Sequence, residues 1–353
     1  MKYSIIVPVY NRPDEVDELL QSLTEQELKD FEVVIVEDGS QKPCKDVCDK
    51  FADILDLHYY VKENGGPGQA RNYGAERAHG EWLIILDSDV VLPKGYLKAV
   101  EDGLRGERRE ERGEFAAFGG PDASHPSFTP VQKAISYSMT SFFTTGGIRG
   151  GKKKLDKFYP RSFNMGIRSD VYQQLGGFSK MRFGEDIDFS YRIVEAGYNP
   201  QLIPDAWVWH KRRTDFRKFF RQVYNSGIAR INLEKRHPGT LKLVHLLPMV
   251  FTVGVIALIL IAAVARAMIH YDAPNWHTWY WICLLALSPI LFYSLIIFID
   301  SSIKNKSMKV GLLSVPAAFV QLMGYGFGFI ESWWKRCVMK KDEFQAFEKN
   351  FYK

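Results

Sequence analysis

The sequence predicts an α/β domain with a mostly parallel sheet, followed by a helical membrane region. Three observations lead there. Apolar runs at Tyr3–Val9, Phe31–Val36 and Leu83–Leu86 are nearly continuous, as in parallel strands covered on both faces. Helix-compatible segments at 14–28, 45–54 and 68–78 lie between or behind those runs, and such alternation is how doubly wound sheets are built. From residue 244 onward the composition changes to apolar runs of about the ~20 residues that cross ~30 Å of hydrocarbon. The 353 residues therefore divide into a domain at 1–235 and a membrane region at 236–353.

Each strand breaks into polar residues. The first is followed by Tyr10-Asn11-Arg12-Pro13, the second by Glu37-Asp38-Gly39-Ser40, the third by Asp87-Ser88-Asp89. In an open α/β sheet ligands bind beyond the carboxyl ends of the strands, where Asn11, Asp38, Asp87 and Asp89 fall. Hard divalent cations take oxygen ligands, and Mg²⁺ is often held by one or two carboxylates plus substrate phosphates, so Asp87 and Asp89 form a candidate metal site. Asp and Ser also bond their own backbone in turns, which gives both acidic segments a purely local reading. Gly65-Gly66-Pro67-Gly68 precedes a helix whose N-terminus favours an anion, with Arg71 on its first turn. It is neither a P-loop nor a GxGxxG fingerprint, and a plain strand-to-helix turn fits it as well.

Past residue 115 the pattern is less regular. Gly146 to Lys154 is glycine-rich and basic, either a solvated run or a mobile loop closing over an anionic donor. Arg161–Ile167 reads as a strand, leading to a helix that ends at Leu175-Gly176-Gly177-Phe178. Gly184-Glu185-Asp186-Ile187-Asp188 opens a helix through Ala196, where acids serve as caps and dipole partners. Ala206–His210 reads as a last strand running into Lys211-Arg212-Arg213, and His210 is either structural or a group meeting a metal or diphosphate.

The ordered set Val7-Pro8-Val9-Tyr10-Asn11, Glu37-Asp38-Gly39-Ser40, Gly68-Gln69-Ala70-Arg71-Asn72-Tyr73-Gly74, Asp87-Ser88-Asp89 and Gly184-Glu185-Asp186 resembles the family 2 glycosyltransferases of GT-A fold, over residues 1–235. The resemblance implies that Pro8, Tyr10 and Asp38 hold the base and ribose of a nucleotide, with Asn11 at the same strand end and Arg71 beside the nucleotide. It implies that Asp89 binds a divalent metal, Mn²⁺ or Mg²⁺, on the diphosphate, with Asp87 supporting it; His210, at the end of the last strand, is a candidate to join it on its position alone. Glu185 and Asp186 match the acidic pair of the acceptor site, and Asp186 is the implied general base. An acceptor hydroxyl needs such a base, because it is a poor nucleophile until its proton is removed. A nucleoside diphosphate leaving group needs cations against its developing charge. The Gln-x-x-Arg-Trp motif of processive members is absent; Phe219–Tyr224 is the nearest segment and departs from it, which counts against a polymer-extruding synthase.

The expected activity is thus inverting transfer of a single sugar from a nucleoside diphosphate sugar to a saccharide or lipid-linked acceptor in cell-surface glycan synthesis. A Mg²⁺-dependent nucleotidyltransferase, or a nucleotide-binding membrane scaffold without chemistry, is the alternative.

Apolar runs at 244–265 and 279–299 are firm spans; the one at 310–330 carries Pro316, Gln321 and four glycines, so it either crosses or lies at the interface. Trp276, Trp279, Trp281, Trp333 and Trp334 sit near segment ends, as interfacial aromatics do. Lys235, Arg236 and Lys242 precede the first span, and Lys304, Lys306 and Lys309 follow the second, which places the catalytic domain in the cytosol on an inner membrane. Lys335, Arg336, Lys340 and Lys341 contradict three full crossings under the same rule. The apolar start at Ile5–Val9 is too short for a signal peptide and reads as a strand. A net charge of +5 suits an anionic membrane face but is too small to imply nucleic acid; the four cysteines show no zinc spacing, and the expected cytosolic site argues for reduced thiols.

Overall fold

In the computed structural model, residues 1–106, 114–125, 127–146, 158–344 and 346 are described. In chain order they form β1 (Tyr3–Val9), α1 (Pro13–Thr24), β2 (Phe31–Asp38), α2 (Lys45–Asp49), β3 (Leu57–Lys62), α3 (Pro67–Ala75), β4 (Trp82–Leu86), β5 (Val90–Val91), α4 (Tyr96–Gly106), β6 (Ala117–Gly119), β7 (Asp122–Ala123), α5 (Pro130–Thr140), α6 (Phe142–Thr145), β8 (Asn164–Arg168), α7 (Ser169–Gln174), α8 (Glu185–Glu195), β9 (Gln201–Leu202), β10 (Val208–His210), α9 (Phe216–Arg236), α10 (Leu247–Tyr271), α11 (Trp276–Asn305) and α12 (Met308–Trp333). Packing groups them into two compact units, one of Met1–Pro126 with Lys153–Lys211, the other of Ser127–Lys152 with Arg212–Phe351. The basic stretch Gly147–Lys154 lies outside the described residues.

The first unit is built on a seven-stranded sheet of order β3-β2-β1-β4-β8-β6-β9. β3, β2, β1 and β4 are parallel; β8 alone runs against its neighbours β4 and β6. β1, β2 and β4 are buried along nearly their whole length, which is why they read as continuous apolar runs. One core cluster holds Ile5, Val7, Val33, Ile35, Ile84 and Leu86, and another holds Ile6, Val34, Val36, Leu83 and Ile85, so alternate residues of each strand fill opposite faces. α3 lies directly on the sheet at Gly74, where a Cβ would fall 2.7 Å from Ile6 Cγ2 and 3.1 Å from Val36 Cγ2.

β3 was not legible. Its sequence, Leu-His-Tyr-Tyr-Val-Lys, forms a half-exposed edge strand without a continuous apolar run. α1 and α2 are shorter than their periodicity suggests, ending at Thr24 and Asp49. The helix expected to end at Leu175 does end there, and Gly176 and Gly177 follow it with φ of 71° and 62°.

Because the chain passes outward through β1, β2 and β3 and then returns to β4 on the other side of β1, the direction of winding reverses between β1 and β4. The carboxyl ends of these strands flank the crevice that such a reversal leaves. A small sheet of order β5-β10-β7 stands at the same rim, with His210 paired antiparallel to Val90.

The second unit is helical. Three of its segments, Leu243–Tyr271, Trp276–Asn305 and Met308–Val338, are long and apolar enough to cross a membrane.

Candidate active site

The pairing of β10 with β5 decides where His210 sits. β5 begins one residue after Asp89, so the antiparallel register brings His210 alongside the acidic loop, and Lys211 N donates to Asp89 O at 3.0 Å. His210 Nε2 lies 3.2 Å from Asp89 Oδ1 and 4.0 Å from Asp87 Oδ2. Phe163, just before β8, stacks on the His210 ring with centroids 4.9 Å apart and planes at 23°.

One ligand atom from each of Asp87, Asp89 and His210 lies within 4.8 Å of the others, the only such metal-sized group among the described residues. Two carboxylate oxygens and an imidazole nitrogen fit a divalent cation of intermediate character. Carboxylates suit Mn²⁺ and Mg²⁺, while an imidazole is outside the all-oxygen preference of Mg²⁺. The donor set therefore fits Mn²⁺ better than Mg²⁺. The Arg12 guanidinium already neutralises part of this group, with Nη1 2.8 Å from Asp89 Oδ2.

A buried arginine ties the metal-sized group to the acidic helix start. Arg71, 3% exposed, donates from Nη2 to Asp87 Oδ1 at 2.7 Å and from Nη1 to Glu185 Oε1 at 2.9 Å. Its guanidinium carbon stands 5.2 Å over the Phe178 ring. Glu185 and Asp186 begin α8 after Gly184, whose φ of 85° sets the turn. Both are buried, and their titration diverges. Burial pushes the Glu185 carboxyl up to about 7, with Asp186 adding to the rise against the opposing pull of Arg71. Burial would raise Asp186 as well, but the Arg161 guanidinium, with Nε 2.6 Å from Oδ2, outweighs it and holds Asp186 below the usual carboxylate range.

The remaining expected residues stand at the same rim with local partners of their own. Asp38 Oδ1 accepts from Lys62 Nζ at 2.7 Å and Gly65 N at 2.9 Å, and Oδ2 accepts from Gly66 N at 2.8 Å. Two of the amides before α3 are thus turned to Asp38. Asn11, at φ 56°, receives Gln41 N and Lys42 N on Oδ1 at 2.7 and 2.9 Å and so holds the loop after β2. Pro8 and Tyr10 are half-buried at the end of β1. Lys211, one of the three cations after His210, pairs with Glu18 at 2.7 Å.

Arg12, Lys62, Arg161 and Phe163 belong to this site and were missed as candidates. Each acts through a partner distant in sequence: the β2–β3 register sets Lys62 beside Asp38, the β1–β4 pairing brings Arg12 to Asp89, Arg161 reaches Asp186 at the start of α8, and Phe163 reaches His210.

Comparison with known proteins places the chain in a family. The model of "Glycosyl transferase family 2" matches residues 4–109, and that of "Glycosyl transferase family group 2" matches residues 82–297. The poly(ribitol-phosphate) β-N-acetylglucosaminyltransferase TarS of Staphylococcus aureus is 39% identical over 102 residues, which are 28% of this chain and only 18% of TarS. The glycosyltransferase AglE of Haloferax volcanii is 26% identical over 240 residues, covering 65% of this chain and 73% of AglE. Among solved structures, the mannosyltransferase PcManGT of Pyrobaculum calidifontis in complex with GDP-Man and Mn²⁺ superposes with a TM-score of 0.55 at 15% identity, over 95% of this chain and 88% of that one, which shows a shared fold. The nucleotidyltransferase and scaffold alternatives are set aside by these matches, and the chain belongs to the family 2 glycosyltransferases.

Proposed function

We propose that this enzyme transfers one sugar, with inversion, from a nucleoside diphosphate sugar to a lipid-linked acceptor at the cytosolic face of a membrane. The observation that carries the reading is the grouping of Asp87, Asp89 and His210 within 4.8 Å, joined through Arg71 to Glu185 and Asp186. Asp89 and His210, with Asp87, would hold Mn²⁺ or Mg²⁺; when bound, the cation supplies positive charge against the departing diphosphate. Pro8, Tyr10, Asn11 and Asp38 line the rim where a base and ribose would lie, and Arg71 places a fixed positive charge beside the phosphates.

Asp186 is the base. Held ionised by Arg161, it is ready to accept the acceptor's proton as the hydroxyl attacks the anomeric carbon from the face opposite the diphosphate. Its low proton affinity makes it a weak base in this state, so binding of the acceptor must loosen the Arg161 contact. Glu185 orients Arg71 and stays near its own titration point. The three apolar helices and the basic residues around them support an acceptor carried by the membrane.

The test is to incubate the detergent-purified full chain with a panel of nucleotide sugars and Mn²⁺ or Mg²⁺ and measure release of free nucleoside diphosphate. Release from one donor class, stimulated by a lipid-phosphate acceptor, is the expected result. No release from any donor with either metal would sink the reading.

A further inference from the structure

The helical unit bears on how often the chain crosses the bilayer. α10 and α11 pack antiparallel, with the Phe251 and Tyr293 rings 5.2 Å apart. Equal rise along both helices then sets Leu247 opposite Ile297 and places Asp300 about one turn, and Lys304 about two turns, beyond the start of α10. Asp300 marks a polar level, since its carboxylate accepts from Lys304 Nζ at 2.9 Å and from the Tyr137 hydroxyl at 2.6 Å. Tyr293 and Phe251 lie about 10 Å below that level, and Pro248 about 6 Å below it, at ~1.5 Å per residue.

The partners of α12 stay within that shallow zone. Ser314 Oγ lies 2.7 Å from Ser301 Oγ, and a Cβ at Gly311 would fall 2.8 Å from Phe298 O. Farther along, the Phe319 ring is 5.8 Å from Tyr293 and 5.6 Å from Phe251. Then Leu322 O receives Thr252 Oγ1 at 3.5 Å, and a Cβ at Gly326 would fall 2.6 Å from Pro248 O. α12 thus runs obliquely from α11 to α10, and its partners on both helices lie within about 12 Å of the Asp300 level at ~1.5 Å per residue. A third crossing would instead carry residues 322–330 toward the far end of the hairpin, about 30 Å away.

Its remainder follows a charged helix. A Cβ at Gly328 would fall 2.0 Å from Tyr224 O, the Tyr224 hydroxyl donates to Glu331 at 2.5 Å, and Ser332 Oγ donates to Ile228 O at 3.2 Å. α9 bears Arg217, Lys218, Arg221, Lys235 and Arg236, a composition that hydrocarbon rejects. Accordingly 44% of the apolar window in Met308–Val338 is buried by protein, against 17% and 11% for the other two.

We propose that the chain crosses the bilayer twice, through α10 and α11, and that α12 lies obliquely in the leaflet on the Asp300 side together with α5 and α6. Lys335, Arg336, Lys340 and Lys341 then return to the side of Lys304, Lys306 and Lys309, and the charge conflict of a three-span topology disappears. α5 enters the same leaflet: Ala134 packs with Val310 and Ala317, Tyr137 with Ile297, and the Tyr293 hydroxyl donates to Phe143 O at 3.2 Å. Phe142 and Phe143, 68% and 42% exposed, therefore sit about 10 Å below the polar level, where acyl chains cover them.

This rests on the reading that α10 and α11 span a membrane, and the experiment separates the two. The full chain, with Cys283→Ser and Cys337→Ser and the buried Cys44 and Cys48 left in place, is reconstituted in sealed vesicles. Single cysteines at Lys340, Lys306 and Asp272 are probed with an impermeant maleimide before and after lysis. Lys340 and Lys306 are expected to label together, with Asp272 protected whenever they react. Lys340 labelling together with Asp272 overturns the proposal while leaving the spans intact; Asp272 and Lys306 labelling together sinks the hairpin itself. A spin label at Phe142→Cys should be relaxed by oxygen and shielded from a nickel chelate, like one at Ile259→Cys on α10. Behaviour like Lys98→Cys in water would overturn the placement of α6.

Discussion

Arg161 holds Asp186: Nε of the one lies 2.6 Å from Oδ2 of the other, and the pair sets the charge of the carboxylate expected to deprotonate the acceptor. Asp186→Asn removes the base but keeps a side chain of the same shape in the first turn of α8, whose oxygen can still accept from Ile187 N. Transfer should fall at least ~10²-fold while nucleotide binding stays near wild type. Wild-type transfer by that variant would reduce Asp186 to a structural partner of Arg161 and move the search to Glu185 or Asp188.

In the proposed metal site, Arg12 and a divalent cation would compete for Asp89. The arginine side chain is 32% exposed, and partly exposed ion pairs of this kind contribute about 0.2–1 kcal/mol. Arg12→Ala should therefore tighten Mn²⁺ binding up to about fivefold in the absence of nucleotide, whereas Asp89→Asn and His210→Ala should each weaken it by more than tenfold. Titration of free Mn²⁺ by electron paramagnetic resonance reads all three. Unchanged Mn²⁺ affinity in Asp89→Asn would remove the metal from this site.

Glu185 gives the stability a pH dependence of definite sign. Its folded carboxyl titrates near 7, above an ordinary value of 4.5, so between those limits the folded state binds more protons than the unfolded one. Stability then falls as pH rises from about 4.5 through about 7. The thermal midpoint of the purified protein should drop across this window, and Glu185→Gln, which cannot ionise, should flatten the slope. A wild-type midpoint that climbs steadily from pH 5 to 8, with the same slope in the variant, would contradict the assignment.

Gly74 tests the contact between α3 and the sheet. Even Ala places a Cβ 2.7 Å from Ile6 Cγ2, and overpacking of this sort costs about 1–3 kcal/mol. Gly74→Ala should lower the thermal midpoint by several degrees, and since Arg71 lies on the same helix, nucleotide affinity should fall with it. A variant as stable as wild type would mean that α3 can lift from the sheet without strain.

The parts of this architecture that are local in sequence could be read directly. Val7, Ile35 and Ile84 belong to strands buried on both faces, so their apolarity alone revealed them. Asp87 and Asp89 stood out because they follow such a strand, and Glu185 and Asp186 because they follow a glycine at a helix start. The rest depends on pairings that no short window contains. His210 could be suspected but not placed until β10 was seen against β5. Arg161 carries no mark that separates it from any surface arginine, since its meaning comes only from Asp186 twenty-five residues later. β3 escaped because an edge strand needs only one covered face, and Val61 at 61% exposure shows how little of it is hidden.

The reversed strand β8 has a consequence for how such enzymes diversify. Leu86 pairs with Asn164 and Gly119 with Met165, so the chain leaves β6 and comes back into β8 at one edge of the sheet, the edge that also bears Asp87 and Asp89. Between β7 and Arg161 such a detour can change in length without altering a strand pairing, because the pairings of β6 with β8 and of β7 with β10 fix both of its ends. If the acceptor is met on this side, as proposed, differences in acceptor can accumulate in residues 124–160 while the half wound through β1 to β4 stays unchanged. Swapping that interval between relatives should transplant acceptor choice and leave the preferred nucleotide as it was.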